Sequence, residues 1–195
     1  YGDVLANLLM FNGNKVVKEY YINDDGSQIK NFTKSVYLRI REIIHDEKFV
    51  SNTDLYPGLY IKDIATQITK ANPKNKFDDF EKNSQLIQVE SLKLSMQLIK
   101  NDLKKLGISH DVFFSETSLI KKNLVNKSIE KLKKNKFVEE GYLSPPKGEE
   151  DKNWESKKRL IFKSTLFGDD TDRALQKNDG SWTYFANDVA YHSDK

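Results

Sequence analysis

Two short runs, residues 15–22 and 111–116, constrain this chain more than any other feature. The first carries Val16, Val17, Tyr20, Tyr21 and Ile22, and the second reads Asp-Val-Phe-Phe-Ser-Glu. β-branched and aromatic residues at this density favour extended backbone. Between the runs lie two stretches with helical apolar spacing: residues 32–49, with Val36, Ile40, Ile43 and Ile44, and residues 85–106, with Val89, Leu92, Met96, Ile99 and Leu103. Parallel strands need a crossover, which such helices supply. The chain is therefore expected to be α/β, with both runs in one parallel sheet, the second run buried, and Asp24 and Ser115 at the same edge. Open sheets of this kind bind ligands outside the carboxyl ends of their strands. Asn23, Asp24 and Gln28 follow the first run there, and Ser115 and Glu116 end the second.

Residues 3–11 read as a helix with the apolar stripe Val4, Leu5, Leu8 and Leu9, stopped by Gly13. Asp25 is expected to cap the helix after the first strand. Residues 54–58 read as a turn, 60–70 as a short helix, and Gly107 as the cap of the long one. Residues 119–135 form a Lys-rich helix with Lys121, Lys122, Lys127, Lys131, Lys133 and Lys134. A run like this is first of all a solvated face, with phosphate contact as the alternative. Residues 137–143 and 159–165 read as strands flanking an exposed loop, Ser144-Pro145-Pro146-Lys147-Gly148 followed by Glu149-Glu150-Asp151. Residues 173–176 are extended, and a turn at 178–181 delivers the last helix.

Composition removes several classes. Eleven Phe, nine Tyr and two Trp argue against disorder, and the absence of Cys excludes disulfides and thiolate metal sites. A net charge of +3, from 32 basic and 29 acidic residues, is a mixed surface rather than a nucleic-acid footprint. No apolar run reaches transmembrane length, and the first residues lack the basic region of a signal peptide. The chain begins without Met and close to a helix, and reads as a piece of something longer. No pair of its three His has metal-ligand spacing; His45 reads as a solvated or dipole-favoured residue. No P-loop, HxxEH-type or Gly-x-Ser-x-Gly pattern occurs.

The last helix, residues 183–192, carries the most specific pattern. Tyr184, Asn187, Asp188 and Tyr191 fall at i, i+3, i+4 and i+7, on one face. Phe185, Val189 and His192 supply an apolar face for a sheet. A carboxylate, an amide and two phenols suit a planar cation, because a carboxylate accepts two N–H bonds from a guanidinium and a ring covers its face. Taken alone, the pattern also fits an ordinary solvated face.

Four pieces in fixed order resolve this: residues 19–28 (Glu-Tyr-Tyr-Ile-Asn-Asp-Asp-Gly-Ser-Gln), residues 55–60 (Leu-Tyr-Pro-Gly-Leu-Tyr), residues 106–116, and residues 179–192 (Asp-Gly-Ser-Trp-Thr-Tyr-Phe-Ala-Asn-Asp-Val-Ala-Tyr-His). Together they resemble bacterial arginyl-tRNA synthetases, a family of class I aminoacyl-tRNA synthetases, over nearly the whole chain. The resemblance implies a Rossmann-like parallel sheet, in part, with an inserted α+β connective segment. Residues 1–50 become part of the first Rossmann half, 51–116 the helical connection and next parallel strand, 117–167 the insert, and 168–195 the start of the second half. It implies a two-step reaction, in which L-arginine and ATP, as its Mg complex, form an adenylate and the arginyl group passes to the terminal ribose of arginine tRNA. By resemblance, Tyr184 and Asp188 hold the guanidinium. Asp24, Gly26, Gln28, Asn187 and Tyr191 line the pocket or the path of the tRNA end. The family's His-x-Gly-His and Lys-Met-Ser-Lys-like motifs are absent from these residues, so the resemblance places no catalytic group, metal ligand or permanent cofactor here. It implies a cytoplasmic, monomeric parent with no membrane partner. Two alternatives stay open: a glutamyl-type synthetase, which Asp188 opposes because it would repel a carboxylate substrate, and a non-catalytic α/β module that binds RNA or another partner through the Lys-rich helix.

Overall fold

The computed structural model describes residues 1–143 and 157–195. They form two compact units, Tyr1–Ser115 and Glu116–Lys195. The first contains α1 (Gly2–Phe11), β1 (Glu19–Ile22), α2 (Ser27–His45), α3 (Leu59–Ala71), α4 (Phe80–Lys105) and β2 (Val112–Ser115). As expected, β1 and β2 pair in parallel, with Glu19 opposite Val112 and Ile22 opposite Ser115. The helices between them make the crossover. The strands are shorter than the apolar runs. Residues 15–17 lie outside the ladder, and Lys18 closes it by donating its N–H to Asp111 Oδ2 (2.8 Å) and accepting from the Asp111 N–H (2.7 Å). The second run is half-buried rather than buried, and Val112 is exposed.

Two glycines stop helices as the sequence requires. Gly13 (φ 81°) and Gly107 (φ 75°) adopt the left-handed region that a side chain resists. In each case the following N–H reaches back five residues: Asn14 to the Leu9 carbonyl (3.0 Å) and Ile108 to the Leu103 carbonyl (2.9 Å). These bonds satisfy carbonyls that the helix end leaves open. The expected cap at Asp25 is not formed. Gly26 is the N-cap of α2, at φ 88° and ψ −172°, and no side chain caps the helix. Only glycine takes that conformation readily, so the sharp entry to α2 selects Gly26 rather than a capping carboxylate. The turn expected at 54–58 is organised earlier, by Asn52, whose Oδ1 accepts from the N–H groups of Asp54 (3.0 Å) and Leu55 (3.1 Å).

The core of this unit is helical. Val36 and Ile40 of α2, Ile61 of α3, Phe77 just before α4, and Ile87 of α4 are fully buried. The expected faces are rotated in places. Ile43, Ile44 and Val89 are exposed, at 37%, 39% and 51%, and α4 buries Ile87 and Ser91 instead. Apolar residues run around much of α4, so its neighbours, not its own periodicity, decide which arc is covered. The stripe on α1 is likewise exposed, and only Ala6 is buried. His45 makes an ordinary helix-end contact, its Nε2 2.8 Å from the Lys76 carbonyl oxygen.

The second unit contains α5 (Glu116–Lys121), α6 (Leu124–Lys134), β3 (Val138–Gly141), β4 (Arg159–Phe162), a 3-10 turn (Ser164–Phe167), β5 (Arg173–Ala174) and α7 (Tyr184–Asp194). Its sheet is antiparallel, in the order β3-β4-β5. The single Lys-rich helix expected at 119–135 is two helices, broken at Asn123, which sits at φ 55°; Asn tolerates this region better than most residues. The exposed loop expected at 144–151 lies outside the described residues. α7 packs chiefly on α6, where it buries Ala186 and Ala190 completely, and its Phe185 meets Phe162 of β4 with ring centres 5.9 Å apart, which is the sheet contact expected of that face. Small residues allow that close helix-to-helix approach, and the bulkier Phe185 and Val189 lie at its margin, half-buried.

A charge clamp ties the segment before β5. Arg173 donates to both oxygens of Asp169 (2.7 Å each), and this holds the Asp169 carboxyl down at about 2 from its usual 3.8. A folded-state value below the unfolded one stabilises above the unfolded value, and that contribution is lost as pH falls through about 2. A carboxyl-carbon NMR titration of Asp169 is expected to show a midpoint near 2, rising toward 3.8 in Arg173→Gln. An unshifted midpoint in the parent sequence would remove the clamp.

Candidate functional site

Each unit carries part of what the sequence singled out, and each stands on its own geometry. In the first unit the loop after β1 leads into α2. Ser115 Oγ donates to Asp24 Oδ2 (2.5 Å), which joins the carboxyl ends of the two parallel strands, as the sequence placed them. Gly26 turns the chain into α2, and Gln28, one residue into the helix, accepts a long bond from Asn23 Nδ2 (3.4 Å). Asn23 and Gln28 line a cavity of about 290 Å³ with Tyr20, Tyr56, Tyr60 and Met96. Its wall is mostly aromatic and aliphatic. Desolvation pushes the Tyr60 hydroxyl above its usual range. Asp24 and Gly26 do not line this cavity.

In the second unit the site is built from the turn that precedes α7. Asp179 Oδ1 accepts from the Ser181 N–H (2.9 Å) and hydroxyl (2.6 Å), and Gly180, at φ 82°, completes the reversal. Those bonds lower the Asp179 carboxyl below the ordinary range, the Ser181 hydroxyl first. Gln176 and Trp182 bridge across the turn. Thr183 then does two things at once. Its hydroxyl donates to the Ala174 carbonyl (2.9 Å), anchoring the helix start to β5, and accepts from the Ala186 N–H (3.3 Å), capping α7.

This start aims Tyr184 and Asp188 outward. Tyr184 is 51% exposed, with Lys177 Nζ 5.7 Å from its ring centre, and Asp188 is exposed one turn on. Tyr191 follows, its hydroxyl accepting from Lys195 Nζ (3.2 Å). Asn187 is the departure from the four-residue face. It turns inward and donates from Nδ2 to Glu116 Oε1 (2.7 Å). The carboxylate accepts only, which fixes the amide this way round; its Oδ1 is left buried with no partner among the described residues. Glu116 itself is 4% exposed. The sequence marked Glu116 as a strand-end carboxylate and gave it no role. The available signal was a charged residue directly after an apolar strand, where buried carboxylates are uncommon unless they are paired.

The α7 region therefore carries acceptors on two faces: the Asp188 carboxylate outward, and the buried Glu116 carboxylate with the Asn187 amide oxygen inward. The outward face, with Tyr184 one turn before Asp188, complements a planar group rich in N–H donors. Among the described residues there is no cluster of three or more His, Asp or Glu able to hold a metal ion, and no helix is long and apolar enough to cross a membrane.

No protein-family profile matches the chain. Curated relatives do. It is 56% identical over 195 residues to the arginine-tRNA ligase of Pelagibacter ubique (strain HTCC1062), covering 100% of this chain and 34% of that protein. It is 49% identical over 195 residues to the arginine-tRNA ligase of Wolbachia pipientis wMel, again covering 100% of the chain and 34% of the relative. Among solved structures, an arginyl-tRNA synthetase from Campylobacter jejuni superposes with a TM-score of 0.80 at 30% identity, covering 99% of this chain and 39% of that one. The chain thus spans about a third of the length of the curated relatives it matches.

Proposed function

Because the chain is over its whole length a relative of part of the arginine-tRNA ligases, we propose that its parent protein activates L-arginine with ATP and transfers it to the terminal ribose of arginine tRNA, and that this segment holds the arginine side chain. The observation that carries the proposal is the acceptor-rich start of α7. Asp188 and Tyr184 stand exposed one turn apart on a helix anchored at both ends of its first turn by Thr183. In this reading Asp188 accepts a fork of N–H bonds from the guanidinium and the Tyr184 ring covers its face. Glu116 adds a second negative charge to the same unit. Asn187 holds Glu116 rather than meeting the substrate first, and Tyr191 borders the face one turn further on.

Adenylate formation needs no protein nucleophile. The reaction rests on positioning and on stabilising phosphate charge, so a segment devoted to the amino acid need carry no catalytic group. ATP with its Mg ion enters as substrate. In the first unit, Asp24, Gly26 and Gln28 are assigned to the lining of the substrate crevice or the tRNA-end path. The division of the chain into a first Rossmann half (1–50), a helical connection (51–116), an insert (117–167) and the start of a second half (168–195) belongs to the same reading. So does a monomeric parent working in the cytoplasm. Crystals of the full-length parent soaked with L-arginine are expected to show the guanidinium against Asp188 and Tyr184. A guanidinium bound elsewhere, with these two residues still solvated, would end the assignment.

A further inference from the structure

We infer that the outer face of α6 is a docking surface for the phosphate backbone of the RNA substrate; the inference rests on the reading above for the identity of that RNA. Lys127, Lys131 and Lys134 fall at i, i+4 and i+7 on α6. They share one face, opposite the face that buries Val125, Ser128 and Ile129. Lys121 and Lys122 precede this stripe and Lys136 follows it, and all six are exposed.

Several other cations of the unit are ion-paired, whereas Lys177 lies over the Tyr184 ring. Lys133 pairs with Glu130 (3.0 Å), Lys158 with Glu140 (2.7 Å), Lys163 with Glu139, and Arg173 with Asp169 (2.7 Å). Among the described residues Lys121, Lys122, Lys127, Lys131, Lys134 and Lys136 form no ion pair. Carboxylates do stand near: Glu130 is on the same helix but engaged with Lys133, and Asp194 shares a small groove with Lys127 without pairing to it. Like charges three and four residues apart oppose helix formation. The helix dipole offsets this only in the last turn, at Lys131 and Lys134, and does nothing for Lys127 near the first. A helix that keeps this repulsion uncompensated on one arc presents a surface made for an external polyanion.

Lysine heads are compact point charges on flexible stems. They suit phosphate oxygens at irregular positions and read no base sequence. The surface therefore adds affinity and orientation for RNA, while specificity lies elsewhere.

The test uses the full-length parent carrying Lys127→Gln, Lys131→Gln and Lys134→Gln together. Dissociation constants for arginine tRNA are measured between about 50 and 200 mM salt. Each phosphate contact contributes about 0.7–0.9 to the log–log salt slope, so the slope should fall by about 2–3 and affinity at about 100 mM should drop tenfold or more. Lys131→Gln alone should lower the slope by just under one, which keeps the result readable if the triple variant is unstable. The three-residue change to Arg should keep the slope, and arginine affinity should stay the same throughout. A slope within about 0.3 of the parent in the triple variant overturns the surface while leaving the arginine reading intact. Binding to vesicles of anionic lipid that depends on these lysines while tRNA binding does not also overturns it. A parent that binds neither arginine nor tRNA overturns both.

Discussion

Asp188→Asn in the full-length parent is expected to lower kcat/KM for arginine by roughly two to four orders of magnitude. The carboxylate is exposed in the chain without substrate, so the mutation should leave thermal stability almost unchanged, within about 0.5 kcal/mol. The effect arises when the guanidinium arrives and water leaves. An amide keeps the shape of the carboxylate but replaces one acceptor by a donor and removes the charge, so the substrate cation is left without its counter-ion. For a pair removed from water that typically costs ~3–5 kcal/mol, and ~1.4 kcal/mol is one decade. Were the pair to stay in water, the cost would be only ~0.2–1 kcal/mol, or less than about sixfold. The measurement therefore separates a substrate clamp from a surface charge. Tyr184→Phe keeps the ring and loses only the hydroxyl, so it should cost less, about 1–2 kcal/mol. Steady-state kinetics on both variants, with fold checked by circular dichroism, decide the matter. An Asp188→Asn value within about threefold of the parent would return α7 to being an ordinary amphipathic helix.

Ile61→Ala is expected to destabilise the first unit by about 2–5 kcal/mol. Ile61 is fully buried in α3 and belongs to the cluster that includes Val36 and Ile40 of α2 and Ile87 of α4. Truncation removes its contacts and leaves a cavity that three packed helices cannot close. Ile61→Val removes one methylene and should cost about 0.5–1.5 kcal/mol. The contrasting control is Val89→Ala. Val89 belongs to the apolar spacing of α4, but it is 51% exposed and should change stability by no more than about 0.5 kcal/mol. Urea titrations of the three variants followed by far-ultraviolet circular dichroism test the set. If Val89→Ala proves as costly as Ile61→Ala, the buried arc of α4 is assigned wrongly.

How much of the site could be read in advance is visible along α7. The turn at 178–181 and the placement of Tyr184 and Asp188 on one face follow from residue type and helical spacing, while the structure adds that Thr183 caps the helix rather than opening it. They are local, and the chain has few other ways to arrange them. Asn187 has the same spacing as its neighbours and turns the other way, because a buried carboxylate 71 positions earlier needs a donor. No periodicity carries that information.

The same division holds for the whole chain. Its sequence alone determined the parallel pairing of β1 with β2, since two β-favouring runs with helices between them have only a crossover open to them. It determined the stops at Gly13 and Gly107, where a left-handed residue ends a helix. It also determined the outward lysines of α6, because ammonium groups do not bury unpaired. Tertiary structure decided which arc of each helix is covered: Ile87 and not Val89 on α4, Ala186 and Ala190 and not Phe185 on α7, and neither Ile43 nor Ile44 on α2. It also decided that Glu116 would be buried, and that Gly26 rather than Asp25 would open α2. Those choices depend on the shape and spacing of elements brought together from distant parts of the chain, and an apolar residue becomes core only where a neighbour takes its water away.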